Sequence, residues 1–212
     1  RDRAGREYLG GNLRPGGPMR GLTWEDASGG AGLRVTVPVT MTPDEAAREL
    51  APRLSALAGE RATASSGGAG ARPGVPVVTI DGYSGSGKST LAAALAPLLP
   101  GWQVLHLDDW YPGWDGLEAG AHIARRIAAD LRGGRASSYE AWDWENSTTG
   151  ARISVPLAPT IIEGCGAIDA EADLSVWIAD PGEDERRSRA LARDGQTYAP
   201  HWQRWADQDL GR

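Results

Sequence analysis

The sequence predicts a three-layer α/β fold around a parallel sheet. From residue 75 onward, apolar strand-like runs alternate with helix-like segments, the pattern of strand–helix–strand units. The first run, "VPVVTI" (75–80), is continuous and β-branched, as befits a strand covered on both faces. A glycine-rich stretch joins that run directly to a helical pattern, a junction suited to binding anions.

Each element has its own signal. "STLAAALAPLL" (89–99) places Leu91, Leu95, Leu98 and Leu99 at helical spacing. "QVLHL" (103–107) reads as a second strand and "GLEAGAHIARRIAADLRGG" (116–134) as an amphipathic helix ending at a glycine pair. "TIIEG" (160–164) and "LSVWIA" (174–179) supply a third and a fourth strand. "PGEDERRSRALARDG" (181–195) has Pro at its start, acids in its first turn and Gly after its end, so it reads as a helix. Upstream, "TPDEAARELAPRLSALAG" (42–59) carries a capping-box signal, Thr42 with Glu45, and Leu50, Leu54 and Leu57 recur at helical spacing. "LRVTVPVT" (33–40) alternates weakly, as a short strand would. Residues 1–34 are rich in Gly, Arg and Pro and read as poorly ordered. "GERATASSGGAGARPG" (59–74) has the composition of a flexible linker. The expected division is a poorly ordered or accessory extension at 1–40, a helix plus linker at 41–74, and the α/β domain at 75–212.

Composition narrows the function. The chain has 212 residues and a net charge of −6, which argues against a general nucleic-acid binder with its basic stripe. Cys165 is the single cysteine, so neither an intrachain disulfide nor a cysteine-based zinc site is available. There is no apolar run of membrane-spanning length and no secretory leader pattern in the first residues given. The cytoplasm is the expected location, with no membrane partner.

One motif carries chemistry at full length. "GYSGSGKS" (82–89) satisfies G-x-x-x-x-G-K-[ST] between a strand and a helix. Gly82 opens it, Ser84 and Ser86 lie within it, and Thr90 follows. Gly85 and Gly87 let backbone N–H groups turn toward phosphate oxygens. The helix beginning near Lys88 adds its positive end. Ser89 offers a hydroxyl to Mg²⁺, and Lys88 reaches the terminal phosphates of a nucleotide such as ATP. Lys88 is the only lysine in the chain, beside 21 arginines. Only here does a compact ammonium do what a broad planar guanidinium cannot. The same count excludes an intact N-K-x-D guanine-reading motif.

Asp108 and Asp109 follow the second strand. The carboxyl edge of an open α/β sheet is where ligands bind, and a carboxylate there can orient a hydroxyl and take its proton. A solvated Asp-Asp turn is the plainer alternative.

On these residues the stretch from 75 to about 195 resembles the uridine kinase family of P-loop kinases, which includes nicotinamide riboside kinase. That family carries D-[SD]-F-[YF] after its second strand, and "DDWY" (108–111) is similar, with Trp for Phe. The resemblance implies Asp108 as catalytic base, Asp109 as second candidate, and Tyr111 near the substrate. "YEAWDWEN" (139–146) resembles the family's Y-D-[FYW] motif, which implies sugar-hydroxyl contacts for Asp143 and an aromatic contact for Trp144. Trp142 stands where the family has Tyr. "IIEG" (161–164) matches an apolar-strand E-G pattern, implying that Glu163 lies near Mg²⁺ or the reacting hydroxyl. "DERRSRALARD" (184–194) resembles the family's lid, implying that Arg186, Arg189 and Arg193 meet the phosphates, Arg189 as a catalytic group, with Arg187 a weaker candidate. A solvated helix of Glu–Arg pairs is the plainer reading. The resemblance further implies strand order 2-3-1-4, ATP and Mg²⁺ as cofactors, and a P-loop NTPase fold with a helical lid. No clear fifth apolar strand follows the lid, so either another segment fills that sheet edge or the chain given is incomplete.

Trp110, Trp114, Trp142 and Trp144, with Tyr111 and Tyr139, cluster near the expected acceptor site. They could stack on a planar ring or serve as core. His106 reads as core, and His122 and His201 lack metal-ligand spacing. "HWQRWADQDL" (201–210) reads as a final helix whose Trp202 and Trp205 pack. The expected activity is ATP- and Mg²⁺-dependent phosphoryl transfer to a hydroxyl of a small, nucleoside-like molecule. The alternatives are a same-fold kinase of an antibiotic, vitamin precursor or sugar, and a non-catalytic nucleotide-binding module.

Overall fold

The computed structural model describes residues 21–26, 32–64 and 74–211. Its centre is a six-stranded sheet. The strands are β1 (Thr23–Asp26), β2 (Leu33–Val37), β3 (Val77–Asp81), β4 (Gln103–His106), β7 (Thr160–Glu163) and β8 (Leu174–Ile178), in spatial order β1-β2-β8-β3-β7-β4. From β2 to β4 every pairing is parallel, and only β1 runs antiparallel at the edge. The four strands expected from 75 onward stand in the expected order 2-3-1-4: β4, β7, β3, β8.

The continuous apolar strands lie where both faces are covered. Val78 and Ile80 of β3 point into one core with Ile161 and Val176, under α1 (Pro43–Ala64) and α2 (Lys88–Leu95). Val77 joins the opposite core with Leu105 and Ile162, under α3 (Leu117–Arg132). That is the three-layer arrangement a parallel sheet requires.

The fifth strand comes from upstream. Val35 and Val37 are buried, and β2 pairs along its whole length with β8. The sequence reading set 1–40 apart as a poorly ordered or accessory extension; within it, residues 23–26 and 33–37 are strands of the central sheet. The alternation of "LRVTV" was the signal, weak because only one valine pair marks it. Helix α1 locks this segment down. Its first turn is closed by the predicted capping box, with the Thr42 backbone N–H bonded to Glu45 Oε2 at 2.9 Å and the Glu45 N–H to Thr42 Oγ1 at 3.3 Å. Leu50 and Leu54 are fully buried, each contributing about 1.5–3 kcal/mol of apolar burial. The helix continues to Ala64, past the start of the expected linker; residues 65–73 of that linker, and 1–20 of the extension, lie outside the described residues.

A two-stranded hairpin, β5 (Ser137–Asp143) with β6 (Thr148–Val155), projects between α3 and β7. Sequence patterning does not reveal it, because most of β6 is exposed and polar. The chain closes with α4 (Glu183–Tyr198) and α5 (Trp202–Leu210). Gly195 breaks α4 with φ 56° and ψ −134°, a conformation open mainly to glycine, so the last turn heads off in a new direction.

Candidate active site

The glycine loop leaves the carboxyl end of β3, and α2 begins at Lys88. Gly85 and Gly87 have φ of 80° and 108°. A Cβ on Gly85 would meet the Arg186 carbonyl oxygen at 2.2 Å, so only glycine allows that approach. Over Gly87 the space is open to 4 Å, which leaves one side of the loop free for a ligand.

Three elements brace the loop from behind. Asp81, fully buried, accepts from the backbone N–H of Gly82 at 2.6 Å and from those of Gly166 and Ile168 at 3.1 and 3.0 Å. It ties the loop to the turn after β7. Asp209 of α5, also buried, accepts from the Ser84 N–H at 2.8 Å, while Ser84 Oγ meets the Tyr198 hydroxyl at 2.9 Å. Arg186 is the third brace and a correction to the sequence reading. Its side chain is 5% exposed, paired with Asp180 at 2.8 Å, over the Tyr83 ring, and near the Ser84 carbonyl at 3.4 Å. It supports the loop from beneath and does not face the cavity. Asp81 and Asp209 escaped the sequence reading because each stands outside any motif.

Lys88 is buried and folds back along the loop. Its ammonium donates to the carbonyls of Gly82 at 2.7 Å and Tyr83 at 3.1 Å, and to Cys165 Sγ at 3.3 Å. Burial disfavours its charge, but the Cys165 sulfur and the carboxylates of Asp209, Asp81 and Glu163 more than offset that, holding Lys88 above the ordinary lysine range. Burial pushes the Cys165 thiol up to about 12, with Lys88 opposing.

A cavity of about 840 Å³ opens over the loop. Ser84, Gly85, Gly87, Lys88, Ser89 and Thr90 line its floor; Gly82 and Ser86 do not line it. Asp108, Asp109 and Glu163, from the carboxyl ends of β4 and β7, form one wall. Asp108 is open to the cavity yet flanked by protein. Burial, then the neighbouring charge of Glu163, raises its carboxyl above the usual aspartate range, against the pull of Lys88 and Arg193. Glu163 is buried and bonded to His106 Nδ1 at 2.6 Å. That hydrogen bond raises the His106 imidazole above its ordinary value, so His106 is a partner of Glu163 and not a core residue.

The lid arginines divide. Arg189 and Arg193 reach the cavity. Both also hold acids, Arg189 with Glu185 and Arg193 with Asp194, each at 2.8 Å through Nε. Arg187 is exposed and outside the lining.

The aromatic residues divide as well. Trp114 and Trp144 line the cavity with Tyr111, Tyr198 and Trp205. Trp114 stacks on His201 at 4.4 Å between ring centroids, 11° apart in plane, and on Tyr198 at 5.4 Å. The Trp144 indole donates to the Asp108 carbonyl at 2.8 Å, which pins the hairpin to the strand end. Tyr111 offers only its ring, because its hydroxyl donates to the Cys165 carbonyl at 2.7 Å. Trp110 is core, with its indole bonded to the Gly120 carbonyl. Trp202 and Trp205 both pack in the core, as expected, Trp202 beside Tyr198, and Trp205 also lines the cavity. Asp143 stands apart. It accepts from the Asn146 backbone and side-chain amides in the turn of the hairpin and does not line the cavity. The sugar-contact role implied for it has no support in this geometry.

The donor set suits a nucleotide phosphate with a magnesium ion. The loop offers amides and an ammonium, Ser89 a hydroxyl, and Asp108 and Glu163 carboxylates on the facing wall. Among the described residues no group of three His, Cys, Asp or Glu side chains is placed to hold a metal alone. Mg²⁺ normally takes only one or two protein ligands and completes its shell with phosphate and water.

No protein-family profile and no curated protein matches the chain. The solved structures similar in course include two described as kinases. One, provisionally assigned as a uridine kinase from Bacillus stearothermophilus, shares 22% identity at a TM-score of 0.43, over 77% of this chain and 92% of its own. The other, provisionally assigned as a fructose transport system kinase from Silicibacter sp. TM1040, shares 22% identity at a TM-score of 0.44, over 78% of this chain and 87% of its own. Both lie below the similarity at which a shared activity follows. Among the described residues no helix is long and apolar enough to cross a membrane.

Proposed function

We propose that this protein is a P-loop kinase that transfers a phosphoryl group from ATP, with Mg²⁺, to a hydroxyl of a small molecule. One observation carries the reading: a carboxylate pair at two adjacent strand ends faces the Lys88 loop across a single cavity. Loop amides and Lys88 would hold the donor phosphates, and Ser89 with Glu163 the ion, which would neutralise charge on the phosphates. Asp108 would orient the acceptor hydroxyl and take its proton. Its raised affinity for a proton suits a base better than a fully solvated aspartate would. Arg189 and Arg193 would swing from their acid partners to the transferring group. The rings of Trp114 and Trp144 favour an acceptor with a planar ring, hence a nucleoside-like one.

The test is acceptor-dependent ADP release across a panel of nucleosides, vitamin precursors, sugars and antibiotics. Asp108→Asn is expected to lower kcat by roughly 10²–10⁴ while ATP binding stays intact. Full turnover in that variant would remove Asp108 from the role. ATP binding without turnover on any acceptor would favour a nucleotide-binding module.

A further inference from the structure

β4 and β7 end side by side on a matched pair, His106 and Glu163. The two are register partners on adjacent parallel strands, so their side chains leave the sheet on the same face. His106 Nδ1 donates to Glu163 Oε1 at 2.6 Å. Among the described residues no other hydrogen bond reaches that carboxylate. Glu163 lines the cavity and His106 does not. The Glu163 side chain is 4% exposed and the imidazole 45%. With the ring this open to solvent, water could satisfy the same oxygen if the ring were gone. Water could not fix which way the carboxylate faces.

That orientation matters because a glutamate side chain is flexible and its terminal torsion is broad. The charge of Glu163 already bears on Lys88. Released from His106, the carboxylate would be drawn to that ammonium, which the donor phosphates need. Carboxylates that ligate metals are commonly held by such outer partners. The geometry points to His106 as a positioning residue for the ion site: it holds one oxygen of Glu163 and so keeps the other turned to the cavity for Mg²⁺. This rests on the proposal that Ser89 and Glu163 hold the ion beside a nucleotide on the loop. The place of the donor is what counts. An asparagine at 106 carries its amide nitrogen as far from Cβ as Nδ1 stands, whereas a glutamine carries it one atom further.

The experiment measures binding of the non-hydrolysable β,γ-imido analogue of ATP to the full chain by calorimetry, once in Mg²⁺ and once in EDTA. Wild-type protein is expected to bind at least about tenfold more tightly with Mg²⁺. His106→Ala should lose about tenfold in Mg²⁺ and nothing in EDTA. His106→Asn should restore the affinity in Mg²⁺ to within about threefold of wild type, while His106→Gln should behave like Ala. Should the Ala variant fail to fold, as read by urea unfolding, the Asn–Gln comparison decides alone. Full gain from Mg²⁺ in the Ala variant, or a Gln variant as good as Asn, would overturn the positioning role and leave the proposed kinase standing. An equal fall in Mg²⁺ and EDTA would overturn it too, since it marks a merely structural residue. A wild-type protein that gains nothing from Mg²⁺ would remove the ion site and the role of His106 with it. Failure of the wild type to bind the analogue in either condition would overturn both proposals.

Discussion

Asp81 offers a sharp test of how the glycine loop is held. Its carboxylate is buried and satisfies three backbone donors, two of them on the turn after β7. Asp81→Ala leaves those three N–H groups in a dry site. At about 1–3 kcal/mol for each unsatisfied buried donor, less what entering water recovers, the cost is about 3–6 kcal/mol. Asp81→Asn keeps the shape and one acceptor oxygen. That oxygen can serve Gly166 and Ile168, but the new amide then faces the Gly82 N–H, donor against donor. The cost is about 2–3 kcal/mol. Both are large fractions of a typical domain stability. Urea unfolding followed by circular dichroism should show a midpoint lowered by roughly 1 M for Asn, at a slope of ~2 kcal/mol/M, and by more for Ala. A loss below about 0.5 kcal/mol for Asn would refute the reasoning, since it is the size of an ordinary surface change.

Three other outcomes follow from the site. Lys88→Arg keeps the charge but forces a planar fork where one ammonium reaches two carbonyls at 2.7 and 3.1 Å. ATP affinity by calorimetry should fall at least about tenfold, and affinity within about twofold of wild type would count against the cradle. His106 has a folded-state pKa above its unfolded value through Glu163. Its stabilising contribution is therefore full below about pH 6.5 and fades as pH rises through the folded value. The imidazole is 45% exposed, so the effect should stay below about 1 kcal/mol. Urea midpoints of wild type and His106→Asn should converge at alkaline pH, and a gap that widens there would contradict the assignment. Cys165 is 5% exposed with its thiol pushed up to about 12. Native protein should resist iodoacetamide at neutral pH and react only on unfolding, as read by intact mass.

Much of this was legible in the sequence, for reasons that differ from residue to residue. The four strands from 75 onward declare themselves because both their faces are buried, which makes their runs continuous. The loop declares itself because its chemistry fixes residue types at fixed spacing. Asp108, Glu163, Arg189 and Arg193 reach one cavity because each lies at a strand end or on one helix face. The failures share a cause. Arg186 is three residues from Arg189, near enough in helical phase to suggest one face, but tertiary packing draws it under the loop. Asp143 matches a motif letter, but the neighbouring Asn146 claims its oxygens. Asp209 lies 125 residues from the Ser84 N–H it accepts from, and no local pattern announces such a bond. Strand β2 was faint because only two of its five residues, Val35 and Val37, are buried.

That strand also sets an order of events. Val35 pairs with Trp24 of β1 on one side and with Val176 of β8 on the other, so β2 has one partner close by in the chain and the other far downstream. Until β8 arrives, the far side of β2 is an open edge and the apolar face of α1 is only partly covered, the kind of transient exposure that invites misassociation. Closing so long a loop is slow. The central sheet is thus completed only when strands from the two ends of the described chain have met, well after the glycine loop that follows β3 has its own strand and helix.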